Sequence, residues 1–445
     1  MKERKSSLIS LGLPIFIQLM LFNLLSTVDT LMITKYNEQF IISMNNANQV
    51  IHMLNVLLLI CSTGVGIVIA QYLGAKKEED AKKSFSNGLI FNLSLSLVLF
   101  LVILLFNKPL LTLIQCPSEY LDNAVTYISI IAWGIPLNAL TNIYSANLRA
   151  NKKPGFITII AVLSNLLNVL LNYLLIFGNW GLPELGIKGA AIATLSSQAF
   201  ILLCAVVFSP IILKKKILSF KLSLPHLKQI LKIGLPSALE TFAYTFAGMF
   251  VTAAVNKLTE PEMLARTYVN MIMLYIYQFS ISFGQANAIL VGHDVGQEKY
   301  QEAKKRTHKS FLICLPILFV VIIILNIFGK DVISWIIEDV KNPELVLKYA
   351  TSVLPWLFLY EFGRCVNLIY INSLKASGDV LFPLIGGIIS MFIFSALGSW
   401  VLGVYLKLGF LGVFLAQALD EAVRAIFMLI RWSNNKWMNK SIVKR

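Results

Sequence analysis

Two acidic residues lie well inside apolar stretches of this sequence with no basic residue close by along the chain. Asp29 has no basic residue within one helical turn, and Glu240 lies two turns beyond Lys232. A charge in a membrane span costs roughly 2.5 to 3.5 kcal/mol on insertion scales. Because nothing local compensates this cost, we expect Asp29 and Glu240 to be functional.

A third acid, Glu361, has a basic neighbour on its own face. Arg364 follows at i+3, where helical side chains meet. Glu361 is therefore either a second functional carboxylate in addition to Glu240 or half of a structural ion pair. The i+4 spacing of Asp420 and Arg424 favours structural pairing.

One apolar stretch carries an aromatic and amide set that would suit flat organic cations. Tyrosine rings make cation-π contacts and amides form hydrogen bonds. Tyrosines near the ends of such a stretch are more often interfacial. We expect Tyr275, Gln278 and Gln285 to line a substrate cavity.

The elements that position these residues are membrane helices. The chain is 57% hydrophobic and only 14% charged, against about 45 to 50% and 25% in soluble domains. The first run has no small-residue cleavage site and is expected to be retained. We predict an all-α integral membrane protein whose twelve transmembrane helices lie at roughly 8–34, 41–74, 84–107, 121–149, 155–178, 185–213, 229–255, 263–292, 306–329, 344–376, 379–404 and 409–431.

The net charge of +15 follows the predicted topology. Most of the 38 Lys and Arg fall in the segments that are cytoplasmic if the N-terminus is inside. This is the positive-inside pattern. It predicts a multi-pass protein of the inner or plasma membrane with both termini cytoplasmic, and it gives no reason to expect nucleic-acid binding.

Other chemistries have little support in the sequence. The five cysteines are scattered without C-x-x-C spacing, so neither disulfides nor a metal site are indicated. No phosphate-binding G-x-x-x-x-G-K-[ST] run occurs, which argues against ATP-driven transport by this chain alone. The four histidines are dispersed, so an integral-membrane enzyme is the weaker alternative. No cofactor is expected beyond Na+ or H+ as the coupling ion.

The sequence contains an internal repeat. An offset of 222 residues carries Gly12-Leu13-Pro14 onto Gly234-Leu235-Pro236 and Gly74 onto Gly296. Six helices per repeat give both halves the same orientation, so an axis along the membrane normal relates them. We predict two pseudo-symmetric lobes, 1–213 and 229–431, a cytoplasmic linker, 214–228, and a basic cytoplasmic tail, 432–445.

The motifs resemble those of the multidrug and toxic compound extrusion (MATE) family across essentially the whole chain. They are the Gly-Leu-Pro openings, Val28-Asp29-Thr30, Tyr72-Leu73-Gly74-Ala75, Leu148-Arg149-Ala150, Asn172 to Gly178, Gly189 to Thr194, and Leu374 to Asp379. The resemblance implies a V-shaped pair of six-helix lobes that exports organic, often cationic, compounds in exchange for Na+ or H+. Carboxylates on helices 7 and 10, here Glu240 and Glu361, resemble the NorM-type subgroup, whose cation site lies in the C-terminal lobe. The resemblance implies that Glu240 and Glu361 bind the coupling cation, with Na+ as the metal.

The same resemblance implies a cation site in the N-terminal lobe. In the family the aspartate of helix 1 gathers with polar residues of helices 5 and 6, which match Asn168, Asn172 and Thr194 here. Many members have a second aspartate at the position of Asn172. Because a neutral amide cannot titrate but still offers oxygen, we expect Na+ rather than H+.

These observations together predict a secondary antiporter of small organic cations, surrounded by membrane lipid and acting as a monomer. A lipid-linked oligosaccharide flippase of the same superfamily is the alternative. A flippase would favour a cavity rich in Arg and Lys to bind pyrophosphate, whereas the buried charges here are mainly acidic.

Overall fold

The computed structural model describes residues 7–114, 116–213, 223–337 and 342–443, and every regular element in these ranges is helical. The helices of the first half follow each other through short connections. They are α1 Leu8–Tyr36, α2 Glu38–Gly74, α3 Glu78–Leu113, α4 Ser118–Ile131, α5 Gly134–Ala150, α6 Pro154–Phe177 and α7 Ile187–Leu213.

The second half repeats this order. Its helices are α8 Leu224–Val255, α9 Glu260–Gly296, α10 Tyr300–Ile336, α11 Pro343–Ser352, α12 Leu357–Ser377, α13 Leu381–Ser390 and α14 Gly409–Ser433. After Ser390 the chain continues α13 as two π-helical segments, Met391–Leu397 and Ser399–Tyr405.

Each of the twelve predicted spans is occupied by one helix or by a pair of broken helices. Within the described residues, eight helices are long and apolar enough to cross a membrane, and α4 with α5, bent by 45°, gives a ninth. Three predicted spans fall outside this count: α9, α14 and the broken run from α11 to α12. They carry more polar and charged residues. The prediction of an all-helical membrane protein is confirmed.

The internal repeat is visible in the backbone. Lys76, after α2, and Glu298, after α9, both adopt left-handed conformations, with φ of 60° and 61°. A Cβ on Gly189 would lie 2.3 Å from the Leu175 carbonyl oxygen, and one on Gly412 would lie 2.5 Å from that of Leu402. Equivalent helix starts in both halves therefore need glycine for close backbone packing.

The chain forms two compact units. Unit 1 contains Ile17–Ala238, and unit 2 contains Ser7–Phe16 with Leu239–Arg445. The predicted lobe boundaries stay a prediction, and most of the predicted linker, 214–222, lies outside the described residues. The predicted tail begins against unit 2, where Trp437 is fully buried and stacks on Trp432 at 4.0 Å between ring centroids.

Each unit has its own apolar core. In unit 1 the core joins α2, α3, α4, α5 and α7 around Ile103 and Ile128. In unit 2 it joins α9 to α12 and α14 around Val353 and Phe414. Burial of such side chains fixes the helices against each other and so fixes the polar side chains that they carry.

Candidate functional site

Asp29 lies in the second half of α1 and faces α6 within unit 1. The Asn172 amide nitrogen donates a hydrogen bond to Asp29 Oδ1 at 2.8 Å. Asn172 is almost completely buried, whereas Asp29 is half-buried. Asn172 Oδ1 is a buried acceptor without a hydrogen-bond partner. The predicted contact between helix 1 and helix 5 of the first lobe is therefore present.

Asn168 and Thr194 complete this cluster. Asn168 precedes Asn172 by one turn on α6, so both amides share one face. With its amide nitrogen turned to Asp29, Asn168 lies 2.8 and 3.0 Å from the two carboxylate oxygens, and its oxygen accepts from the Thr194 backbone N–H at 3.2 Å. All four residues predicted for the N-terminal lobe meet in one place.

The groups around Asp29 are neutral. Among the residues that the structure describes, no Lys, Arg or His lies within ion-pair distance of its carboxylate. A partly buried carboxylate without a cationic partner retains its attraction for an added cation or proton. This cluster can therefore hold a small cation or a proton.

Glu240 differs from the sequence-based expectation. Lys375 Nζ lies 2.9 Å from Glu240 Oε2 in unit 2, with both side chains largely buried. The expectation that Glu240 has no basic partner is wrong, because the partner comes from α12 and not from α8. Sequence spacing reveals pairs within one helix, and this pair joins helices far apart in the chain.

Glu361 forms the ion pair that its spacing allowed. Arg364 Nη1 donates to Glu361 Oε1 at 2.8 Å, and Glu361 is fully buried. Arg364 also donates to the Tyr360 hydroxyl, and its guanidinium lies 4.2 Å from the centre of that ring. Glu361 Oε2 has no hydrogen-bond partner in the structure.

A second ion-pair group on α14 continues this network. Arg424 Nη2 lies 2.8 Å from Asp420 Oδ2 and 3.0 Å from Glu421 Oε1, which confirms the predicted pairing of Asp420 with Arg424. Arg364 Nε reaches Glu421 Oε1 at 3.9 Å. The role of Glu421 as a link between α12 and α14 was missed, although its i+3 spacing to Arg424 was a usable signal.

The remaining oxygens of these α14 acids are also satisfied. Ser390 donates to Asp420 Oδ1 at 2.6 Å, and Asn367 donates to Glu421 Oε2 at 2.7 Å. We refer to Glu361, Arg364, Asp420, Glu421 and Arg424 as the arginine network. Because its acids are paired with arginines, this network resembles buried structural ion pairs more than a site open to an added cation.

Unit 2 encloses a cavity of about 360 Å³ beside the arginine network. Its lining includes three tyrosines and four charged residues, namely Tyr244, Tyr277, Tyr360, Arg266, Arg364, Asp420 and Glu421. One face of α9 lines the cavity, with residues at helical spacing: Arg266, Asn270, Met273, Leu274 and Tyr277.

The residues predicted for a substrate cavity lie elsewhere on α9. Tyr275, Gln278 and Gln285 do not line the described cavity. Tyr275 is 36% exposed and Gln278 is buried. Their contact with substrate stays a prediction, and the neighbouring α9 face supplies the cavity lining instead.

The predicted metal pair is not arranged as a joint ligand set. Glu240 contacts Lys375, and Glu361 contacts Arg364. Within the described residues, no group of three or more His, Cys, Asp or Glu side chains could hold a metal ion together. Na+ binding by Glu240 and Glu361 stays a prediction without geometric support, whereas the Asp29 carboxylate has no cationic partner among the described residues.

A multi-pass helical fold with polar clusters inside both of its units defines a membrane transporter. The MatE family model matches residues 14–174 and 236–401, and the chain belongs to this family of transporters. It is therefore not an enzyme.

Similar proteins cover the chain over nearly its whole length. The "Uncharacterized transporter YisQ" of Bacillus subtilis (strain 168) is 28% identical over 99% of this chain and 96% of its own. The "Probable multidrug resistance protein NorM" of Thermotoga maritima is 24% identical over 100% and 95%.

Solved structures share the fold. An outward-facing multidrug resistance MATE family transporter of the MOP superfamily matches with a TM-score of 0.85 at 20% identity, over 96% of both chains. A MOP superfamily transporter from Pyrococcus furiosus matches with a TM-score of 0.86 at 19% identity, over 96% of this chain and 95% of that one. The MATE fold predicted from the motifs is confirmed.

Proposed function

We propose that this transporter is a secondary antiporter of the cell membrane that exports small organic compounds, drugs among them, in exchange for Na+ or H+. The observation that carries the proposal is the Asp29 cluster, a carboxylate inside a membrane helix with neutral amides and no cationic partner among the described residues. A carboxylate in this setting marks an ion pathway.

The Asn168 amide supports this role of Asp29. With its nitrogen toward Asp29, it stabilises the bare carboxylate by hydrogen bonds, as the amide nitrogen of Asn172 also does. Because these donors are neutral, they stabilise the carboxylate without neutralising its charge, which remains available to an incoming ion.

We propose Na+ as the coupling ion. Na+ binds oxygen ligands, and the Asp29 carboxylate supplies two of them. Asn168 and Asn172 present their nitrogens to Asp29, so their amides would have to rotate to add their own oxygens to a bound Na+. H+ would need Asp29 alone. The other three side chains of the cluster cannot titrate near neutral pH, so they would only orient the carboxylate.

The charge of the cargo needs a separate argument. The sequence favours cationic compounds because its buried charges are mainly acidic. In the arginine network, however, every oxygen of Asp420 and Glu421 already has a partner. The support for cationic cargo therefore lies in the Asp29 cluster, whereas the relatives named multidrug resistance proteins support drugs as cargo without indicating their charge.

The flippase alternative has less support. A lipid-linked pyrophosphate needs several cationic side chains without acidic partners. Two arginines line the cavity of unit 2, and one of them, Arg364, is paired with Glu361. We further propose that both termini are cytoplasmic and that the chain acts as a monomer.

The test uses the purified full chain in proteoliposomes loaded with a cationic probe, ethidium, or an acidic probe, dansylglycine. We expect a Na+ gradient at equal pH to drive release of at least one probe. Release that follows a pH gradient and ignores Na+ would make the coupling ion H+. If neither gradient drives either probe, the antiport proposal fails.

A further inference from the structure

We infer that the cavity of unit 2 binds the carboxylate of an aromatic organic acid through Arg266. This inference rests on the proposed export function and names a substrate class for it. It departs from the expectation of purely cationic cargo, and it follows from how the charges of the cavity are paired.

Arg266 is the arginine of the cavity without an acidic partner. Its Nη2 donates to Thr252 Oγ1 on α8 at 3.2 Å, and its buried Nε has no hydrogen-bond partner. Across the described part of the chain, no carboxylate lies within ion-pair distance of it. Arg266 therefore differs from Arg364 and Arg424, which both contact acids.

The acid nearest to Arg266 along α9 forms its hydrogen bonds with other residues. Glu262, one turn before Arg266, bonds the Thr259 hydroxyl at 2.7 Å through Oε2 and accepts from the Phe410 backbone N–H at 2.9 Å through Oε1. Glu262 thus forms the helix cap and joins α9 to α14. Arg266 is left with most of its five N–H donors available to a ligand.

The acids of the cavity do not offer an equivalent place for a cation. Asp420 and Glu421 share Arg424, and their other oxygens accept from Ser390 and Asn367. An added cation would share oxygens that already accept from these partners. An added carboxylate at Arg266 displaces none.

The charge balance limits the ligand to one acid group. The charged residues that line the cavity are two arginines, Arg266 and Arg364, and two acids, Asp420 and Glu421. Their formal charges cancel, so each acid group of a ligand adds uncompensated negative charge, and a pyrophosphate or a dicarboxylate adds more of it than a single carboxylate. A single carboxylate can form a bidentate pair with the planar guanidinium of Arg266.

The remaining lining suits an aromatic body. Tyr244, Tyr277 and Tyr360 supply aromatic side chains, and Met273, Leu274 and Met391 supply apolar ones. A volume of about 360 Å³ is within the range for drug-sized ligands. Tyr360 is itself stacked on Phe414 at 5.2 Å between centroids, which holds one ring in place before the ligand arrives.

The experiment compares three probes with one fluorophore. Dansylglycine carries a carboxylate, dansylglycinamide is its neutral match, and dansylcadaverine is cationic. Binding to the full chain in lipid nanodiscs is measured against empty nanodiscs. We expect the acid to bind about tenfold or more tightly than the amide, because one charge-assisted hydrogen bond has this magnitude.

Variants then assign the preference to Arg266. We expect Arg266→Gln to bring the acid and the amide within about twofold, and Arg266→Lys to retain part of the preference because it keeps the charge but not the planar fork. Lys257→Gln is the matched control, since Lys257 is exposed and does not line the cavity. The comparison in the wild type needs no variant, so the inference remains testable even if Arg266→Gln does not fold.

Two outcomes would overturn the inference. They are equal binding of acid and amide by the wild type, and an acid preference that survives Arg266→Gln unchanged. Failure of the export proposal is distinguishable, because it would abolish gradient-driven release in proteoliposomes while the acid preference in nanodiscs persists.

Discussion

The two units solve the problem of a buried carboxylate in opposite ways. In unit 1, Asp29 is held by the neutral side chains of Asn168 and Asn172. In unit 2, Glu361 has an arginine on the next turn. The first arrangement leaves negative charge for an incoming ion, whereas the second supplies the cation permanently. An acid in a membrane helix is therefore a candidate ion site only after its partners are known.

The largest expected effect tests the unit 1 side of this comparison. Asp29→Asn keeps the shape of the side chain and removes its charge. We expect complete loss of ion-driven probe release with normal expression and folding, because the remaining amides cannot bind or release a coupling ion. Release is measured in proteoliposomes under each gradient separately.

A matched acid serves as the control for this variant. Asp122→Asn alters an exposed aspartate of α4 and should leave release unchanged. Wild-type release from a well-folded Asp29→Asn protein would contradict the Asp29 proposal and move the search for the coupling site to unit 2.

The second prediction tests whether the arginine network is structural. Glu361→Gln leaves the buried Arg364 without its acid, and breaking a buried pair costs about 3 to 5 kcal/mol. The double variant Glu361→Gln with Arg364→Gln removes both charges and should recover most of the lost stability and transport. Unfolding in denaturant and probe release give the two measurements.

The opposite outcome would change the comparison. If the double variant is stable but inactive in transport, Glu361 has a functional role, and its unpartnered Oε2 becomes the atom to examine.

A smaller effect is expected at the pair of Glu240 with Lys375. Both side chains retain slight exposure, so water screens the remaining charge of a single variant more than at Glu361. We expect Glu240→Gln to reduce transport and the double variant Glu240→Gln with Lys375→Gln to restore it. A double variant that folds normally and stays inactive would support the cation-coupling role predicted for Glu240 from the sequence.

The smallest effect concerns the repeat itself. Lys76 and Glu298 occupy left-handed positions that glycine adopts without strain. Each substitution by glycine should raise the free energy of unfolding by about 0.5 to 1 kcal/mol. Glu79→Gly, inside α3, should lower it. If the free energy of unfolding rises for one of Lys76→Gly and Glu298→Gly and falls for the other, the two connections are not equivalent.

Composition, periodicity and spacing determined the membrane class, the twelve apolar runs and the repeat. These features depend on lipid as the solvent and on single segments, which a sequence displays directly. Spacing within one helix also identified the pairs of Glu361 with Arg364 and Asp420 with Arg424. The gathering of Asp29 with Asn168, Asn172 and Thr194 required the family resemblance in addition.

The tertiary structure decided which acids have partners on other helices. Lys375 reaches Glu240 from α12, and Arg364 approaches Glu421 on α14, although no local pattern connects these residues. It also decided that Arg266, not Tyr275, faces the cavity of unit 2. Such contacts depend on the rotation of each helix about its axis, and that rotation is fixed only when the helices pack together.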